Sequence, residues 1–113
     1  MTQRFPGSNP TRSRAVLHNG IVTTVATSPV KSDSMYEQTQ GALAAITGAL
    51  QAAGSSQAQI LTAICYCADM SRKAELNQAW DEWVDRANIP MRAVLGVQLE
   101  GRDLIEIIAT AAV

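Results

Sequence analysis

The stretch that decides the fold is residues 89–113, IPMRAVLGVQLEGRDLIEIIATAAV. Two apolar runs rich in β-branched residues flank the polar segment Glu100–Asp103, which contains a glycine, so the pattern predicts two strands folded back on each other. Arg92 lies at the start of the first run, and Glu106 is the only ionisable side chain in the second. Each of these charges needs a partner, a ligand or water.

The expected pairing limits how the two charges can cooperate. With a two-residue loop at 100–101, Arg92 lies across from Ala109, and Glu106 lies across from Leu95. The charges are then on opposite faces and about 10 Å apart along the strands. A three-residue loop would place both charges on the same face of the sheet, but it would move them farther apart. We therefore expect a second copy of the chain to complete a site that uses both.

The composition bounds the class of protein. The chain has 113 residues, 47% hydrophobic and 17% charged, with a mean hydropathy of +0.02. This length suits one domain, assigned to residues 1–113. So apolar a composition fits either a membrane span or buried subunit contacts. No run approaches the about 18 apolar residues of a membrane span, so buried subunit contacts are indicated. The N-terminus lacks the apolar segment of a signal peptide, so we expect a cytoplasmic protein without a membrane partner.

Cysteine and charge patterns argue against metal and nucleic acid. Cys65 and Cys67 share one face of a predicted strand, which does not favour a bridge, so we interpret them as reduced core thiols rather than a redox or metal pair. With the single His18 they lack metal-site spacing, and no metal is predicted. The net charge of −1 gives no general basis for nucleic-acid binding.

The basic residues are nevertheless concentrated near the N-terminus. Those that precede the first acidic residue, Asp33, are Arg4, Arg12, Arg14 and Lys31. A solvated basic face and an anion-binding edge both fit this pattern.

Turn signals and periodicity predict the remaining elements. Asn19-Gly20 indicates a hairpin, and Ser34 followed by Glu37 forms a capping box that opens a helix. In order, we predict a loop or loose edge strand over residues 1–13, strands at 15–18 and 21–26, a helix to about Ala53, a buried strand at 57–68, a helix from about Ser71 to before Pro90, and the two terminal strands. The fold class is therefore α+β, a mixed β-sheet with two helices packed on one face. Its other face, rich in Val, Ile and Ala, is expected to be buried in a closed ring of identical chains.

Only two residues stand out as candidates for chemistry, since no nucleophile motif or phosphate-binding loop is present. The guanidinium of Arg92 suits a carboxylate bidentately, although a structural ion pair is the alternative. A carboxylate in an apolar strand, as at Glu106, suits proton exchange with water or substrate. Together they indicate a small organic acid and a proton transfer.

Several segments carry a resemblance to a known family. Pro90-Met91-Arg92 before a strand, Ile105-Glu106-Ile107 near an Ala-Ala-Val end, and the helix AELNQAWDEWV at 74–84 resemble the reactive-intermediate deaminase family, also called Rid or YjgF, and especially its YoaB-like branch. The resemblance covers about residues 15–113. It implies a homotrimer of chorismate-mutase-like subunits with clefts between neighbours.

The resemblance also implies an activity in metabolite damage control. Deaminating members hydrolyse imines and enamines such as 2-aminoacrylate and 2-iminopropanoate to 2-oxo acids and ammonia, without a cofactor. Arg92 matches the arginine that holds the substrate carboxylate, Glu106 matches the glutamate that handles water, and Asn77 matches an asparagine near the cleft.

Four substrate-binding positions depart from the family pattern. Arg12 falls where a tyrosine is usual, Val25 where a small hydroxyl residue is usual, Ala26 where glycine is usual and Val94 where cysteine is usual. Two hypotheses follow. The chain is an imine or enamine hydrolase, or it is a non-catalytic trimer that binds a small carboxylate or a partner protein in the same cleft.

Overall fold

The computed structural model describes all of residues 1–113. The element bounds are β1 Thr2–Pro6, β2 Ser13–His18, β3 Ile21–Thr27, α1 Met35–Ala52, β4 Ile60–Cys67, α2 Lys73–Trp83, β5 Met91–Gly96 and β6 Ile105–Ala112. The strands form one mixed sheet in the order β1-β2-β3-β6-β4-β5. Only β4 and β5 are parallel neighbours. Both helices cover one face of this sheet, so the predicted α+β architecture is confirmed.

Local sequence signals set the first hairpin and the start of α1. Asn19 and Gly20 have φ values of 52° and 77°, as the tight turn between β2 and β3 requires. Ser34 caps α1, because its side chain accepts a hydrogen bond from the Glu37 N–H. The N-terminal segment is the edge strand β1, one of the two states expected for it.

The predicted hairpin of the two C-terminal strands is wrong. β4 lies between them, parallel to β5 and antiparallel to β6. The reason is that α2 connects β4 to β5 as a crossover, which places these two strands side by side and parallel. β6 instead pairs with β3 and β4 near the centre of the sheet.

The connection between β5 and β6 is fixed by a buried amide on α1. Gln38 is fully buried, and its side chain donates to the carbonyl groups of Ser32 and Arg102. The same amide accepts a hydrogen bond from the Leu104 N–H. One side chain therefore joins the segment before α1 to the segment that leads into β6.

Two element boundaries differ from the prediction. α2 ends at Trp83 rather than continuing to residue 89, because the Asp85 carboxylate accepts from the Ala87 N–H and so stabilises a turn in place of the helix. The strand expected from residue 57 begins at Ile60, since Gln57–Gln59 form a short 3-10 helix.

The two faces of the sheet have different surroundings. The helix-covered face is the core, formed by Val22, Cys65, Cys67, Ile105 and Ile107 of the sheet, Leu43, Ile46 and Leu50 of α1, and Leu76 and Trp80 of α2. Both cysteines are free and buried. We call the other side the open face. It carries Val25, Ile108 and Ile64 side by side on three neighbouring strands. Neither helix is long and apolar enough to cross a bilayer.

Candidate functional site

Arg92 projects from the edge strand β5 toward α2. It is paired with the buried Ala63, so it lies on the helix-covered face. Its Nη2 donates to the Asn77 side-chain oxygen at 2.8 Å, and its guanidinium carbon lies 5.2 Å from the ring centroid of Trp80. Its Nη1 is buried and has no hydrogen-bond partner.

This arrangement orients the guanidinium before any ligand binds. Asn77 and Trp80 are three residues apart on α2 and therefore lie on one side of that helix. The amide oxygen fixes one edge of the guanidinium, and the indole ring contacts its face through a cation–π interaction. The unpartnered Nη1 is thus a donor held in place for an acceptor that the chain does not supply, such as a carboxylate oxygen.

The charge of Arg92 also reaches the core. Burial raises the pKa of the Cys65 thiol to about 11, while the nearby Arg92 guanidinium opposes that rise. Val94, two residues along β5, is paired with Cys65 and lies on the same face as Arg92. Arg92, Asn77 and Val94 therefore belong to one local group, which we call the arginine group.

Glu106 lies on the open face. It is flanked by Thr27 of β3 and Tyr66 of β4, with Leu95 of β5 next in the same row. The side chain is half-buried and makes no hydrogen bond or ion pair within the chain. A carboxylate in this position is available to water or to a ligand.

One chain does not bring Arg92 and Glu106 together. Across the sheet, Arg92 is level with Ala109, and Glu106 is level with Leu95, through the intervening strand β4. β5 and β6 thus keep the predicted alignment of Arg92 with Ala109 and of Glu106 with Leu95, although these two strands are not neighbours. The charges lie on opposite faces, about 10 Å apart along the strands and about 10 Å apart across them.

The remaining predicted positions form a second group, which lies toward the β1 edge of the sheet and away from β5. Arg12, Val25 and Ala26 line one cavity of about 490 Å³ beside the β1–β2 loop. We call this set the rim group. Ala26 and Val94 lie in one row with two strands between them, so about 14 Å separates the two groups within one chain.

The structure also brings in residues that the sequence alone did not assign to the site. Trp80 belongs to the core and also contacts Arg92. Thr27 and Tyr66 flank Glu106, and Arg14 lines the rim cavity. The i, i+3 spacing of Asn77 and Trp80 was a usable signal for the first of these. The others depended on strand order.

Known proteins resemble this chain over most of its length. A family model described as Endoribonuclease L-PSP matches residues 6–113. A RutC family protein of Haemophilus ducreyi is 36% identical over 103 residues, which are 89% of this chain and 88% of that protein. One from Haemophilus influenzae is 48% identical over 64 residues, which are 57% of this chain but only 55% of that protein.

Solved structures agree with the sequence comparison. A YjgF-family protein of Neisseria meningitidis superposes with a TM-score of 0.94 at 32% identity, covering 99% of this chain and 94% of its own. This similarity extends over both the arginine group and the rim group.

Proposed function

We propose that this chain, which belongs to the endoribonuclease L-PSP family of YjgF, Rid and RutC proteins, hydrolyses reactive 2-imino acids or their enamines to 2-oxo acids and ammonia. Residues 1–113 act as one domain in this proposal, and the helix at 74–84 supports a place in the YoaB-like branch. The working form is a cytoplasmic homotrimer.

The observation that carries the proposal is the state of Arg92. A guanidinium fixed by Asn77 and Trp80, with Nη1 desolvated and unpartnered, is already arranged for a bound carboxylate. Charge-assisted hydrogen bonds to such a group are stronger than neutral ones. A 2-imino acid or its enamine carries the required carboxylate next to the reacting carbon.

Association through the open face supports a cleft between chains. Val25, Ile64 and Ile108 form an apolar surface across three strands, and burying it in a closed ring is favourable. In this arrangement the arginine group of one copy faces the rim group of its neighbour. Glu106, on the same open face, becomes enclosed by the association.

Glu106 then serves as the proton carrier. Its carboxylate accepts a proton from water as the water oxygen adds to the imine carbon, and it returns the proton to nitrogen. The hydroxyl proton of the resulting carbinolamine is then transferred to its nitrogen through the same carboxylate, so the C–N bond breaks as the C=O bond forms, ammonia leaves and the 2-oxo acid remains. The sequence of steps needs proton transfer only, so the proposal invokes no cofactor.

In the experiment, an amino-acid oxidase generates imines in situ, and semicarbazide competes with the protein for these imines. Wild type is compared with Arg92→Ala and with Arg86→Ala as a matched control, because Arg86 is an exposed arginine bonded only to the Asp81 carbonyl. Reduced semicarbazone formation with wild type and Arg86→Ala, but not with Arg92→Ala, supports the proposal. Equal semicarbazone formation with and without wild type across a broad amino-acid panel refutes it.

A second candidate is a non-catalytic trimer that binds a small carboxylate or a partner protein. The four positions that depart from the family pattern favour it, because Arg12, Val25, Ala26 and Val94 provide no hydroxyl or thiol. Binding of pyruvate that depends on Arg92, without turnover of any imine, would identify this function. The family description names an endoribonuclease, so RNA cleavage that persists in Arg92→Ala would contradict both candidates.

A further inference from the structure

The rim cavity contains cations without counter-ions. Arg12 and Arg14 both line it, and none of its lining residues is acidic. The three ion pairs of the chain use Lys31, Arg72 and Arg102 instead. No acidic residue occurs before Asp33 in the sequence, so the β1–β2 hairpin cannot neutralise its own arginines.

Arg12 is held in this position by its own loop. Its Nη1 donates to the Thr11 hydroxyl at 3.1 Å, and its backbone N–H donates to the Asn9 carbonyl. The Thr11 hydroxyl and N–H both donate to the Asn9 side-chain oxygen at 2.6 and 2.8 Å. The guanidinium is therefore anchored at one nitrogen, and its other donors remain free for a ligand.

We infer that the preferred substrate class is imino acids with a second carboxylate, derived from acidic amino acids, and that Arg12 and Arg14 bind this distal carboxylate. The inference rests on the proposed function, in which Arg92 of a neighbouring copy holds the carboxylate beside the imine. Two like charges around one cavity repel each other, and an anion between them relieves that repulsion. A monocarboxylate leaves this cationic cavity without a partner.

The reaction itself is unchanged in this substrate class. Water adds to the imine carbon, the C–N bond breaks, and ammonia leaves with a 2-oxo dicarboxylate as the other product. The distal carboxylate takes no part in bond changes and contributes binding and orientation only. An oxidation or an elimination that forms a C=N bond on an acidic amino acid must supply the substrate.

Binding provides the first arm of the test. Calorimetry compares 2-oxoglutarate with 2-oxopentanoate, which has the same chain length but a methyl group in place of the distal carboxylate. We expect 2-oxoglutarate to bind at least about tenfold more tightly to wild type, since tenfold corresponds to a single charge-assisted contact. The preference should shrink with added salt. It should disappear in the double variant Arg12→Gln/Arg14→Gln and remain in Arg86→Gln.

Turnover provides the second arm, with imines made from glutamate and from norvaline. Wild type should turn over the glutamate imine faster than the norvaline imine; a ratio of the two rates that falls toward one in the double variant, and stays at the wild-type value in Arg86→Gln, supports the inference. Equal use of both imines by wild type overturns it and leaves the proposed function intact. Selective 2-oxoglutarate binding with no turnover of either imine overturns the hydrolase function and leaves Arg12 and Arg14 only as a binding site for the distal carboxylate. No selective binding together with no turnover overturns both.

Discussion

Replacing Arg92 with methionine separates a ligand-binding role from a structural one. Methionine keeps most of the apolar stem that packs near Trp80, but it removes the charge and all five donors. Two stabilising contacts are lost, the hydrogen bond to Asn77 and the cation–π contact with Trp80. One destabilising feature is also removed, the buried Nη1 without a partner.

The magnitudes nearly cancel. A hydrogen bond from a charged group is worth about 1.5–3 kcal/mol, and the cation–π contact about 0.5–2 kcal/mol. Desolvation of an unpaired donor costs about 1–3 kcal/mol, more when charged. We therefore expect Arg92→Met to change the free energy of unfolding by no more than about 2 kcal/mol. Carboxylate affinity should fall by about 10- to 100-fold, because one or two charge-assisted hydrogen bonds are lost.

The assay is urea unfolding followed by far-ultraviolet circular dichroism, together with calorimetric titration of pyruvate. Circular dichroism is preferred to fluorescence because Trp80 lies against Arg92 and its emission would change locally. Protein concentration is held constant, since an oligomer's apparent stability depends on it. Arg86→Met serves as the control.

One pattern of results would refute the reasoning. Suppose that Arg92→Met lowers the free energy of unfolding by more than about 3 kcal/mol, while pyruvate affinity stays within the error of wild type. Arg92 is then a structural residue. Its unpartnered Nη1 would then have no functional meaning.

Four further predictions test other parts of the structure. Glu106→Gln should lower imine turnover by about 10²–10⁴-fold with little change in pyruvate affinity, and a parallel loss of both would contradict its role in proton transfer. Ile108→Asp should convert the proposed homotrimer to monomers in sedimentation equilibrium, because it places a charge at the centre of the open face; an unchanged mass would argue against association there. Gln38→Leu should destabilise the fold by about 3 kcal/mol or more in urea, since three backbone groups lose a buried partner, and a change below about 1 kcal/mol would show that water replaces the amide. Burial raises the pKa of Cys65 to about 11, so the folded state favours the neutral thiol; stability should be full below pH 9 and fall by up to about 3 kcal/mol as the pH passes 11, relative to Cys65→Ala measured in parallel.

Turns and helix caps could be predicted directly from the sequence. The turn at Asn19-Gly20 needs positive φ at both positions, and the Ser34 cap needs a side-chain acceptor before a helix, so neighbouring residues alone specify each. Turn signals and periodicity likewise predicted a mixed sheet with two helices packed on one face. Arg92 and Glu106 were identified because a charge in an apolar run needs a partner wherever the strand lies.

Strand order was decided only by tertiary structure. The sequence predicted β5 and β6 as a hairpin, because two apolar runs around a glycine turn favour local pairing. The crossover through α2 places β4 between them, and no local signal distinguishes this arrangement from a hairpin. The register of Arg92 and Glu106 was nevertheless kept across the inserted strand.

The surroundings of the candidate site also came from the tertiary structure alone. Trp80 and Asn77 meet Arg92 only because α2 packs beside the edge strand β5, and Arg12 shares a cavity with Val25 only because the β1–β2 loop lies beside the end of β3. Sequence patterns specify which residues are apolar, charged or turn-forming, since these depend on near neighbours. Contacts between distant segments depend on the free energy of packing the whole chain, and no short window of sequence contains that information.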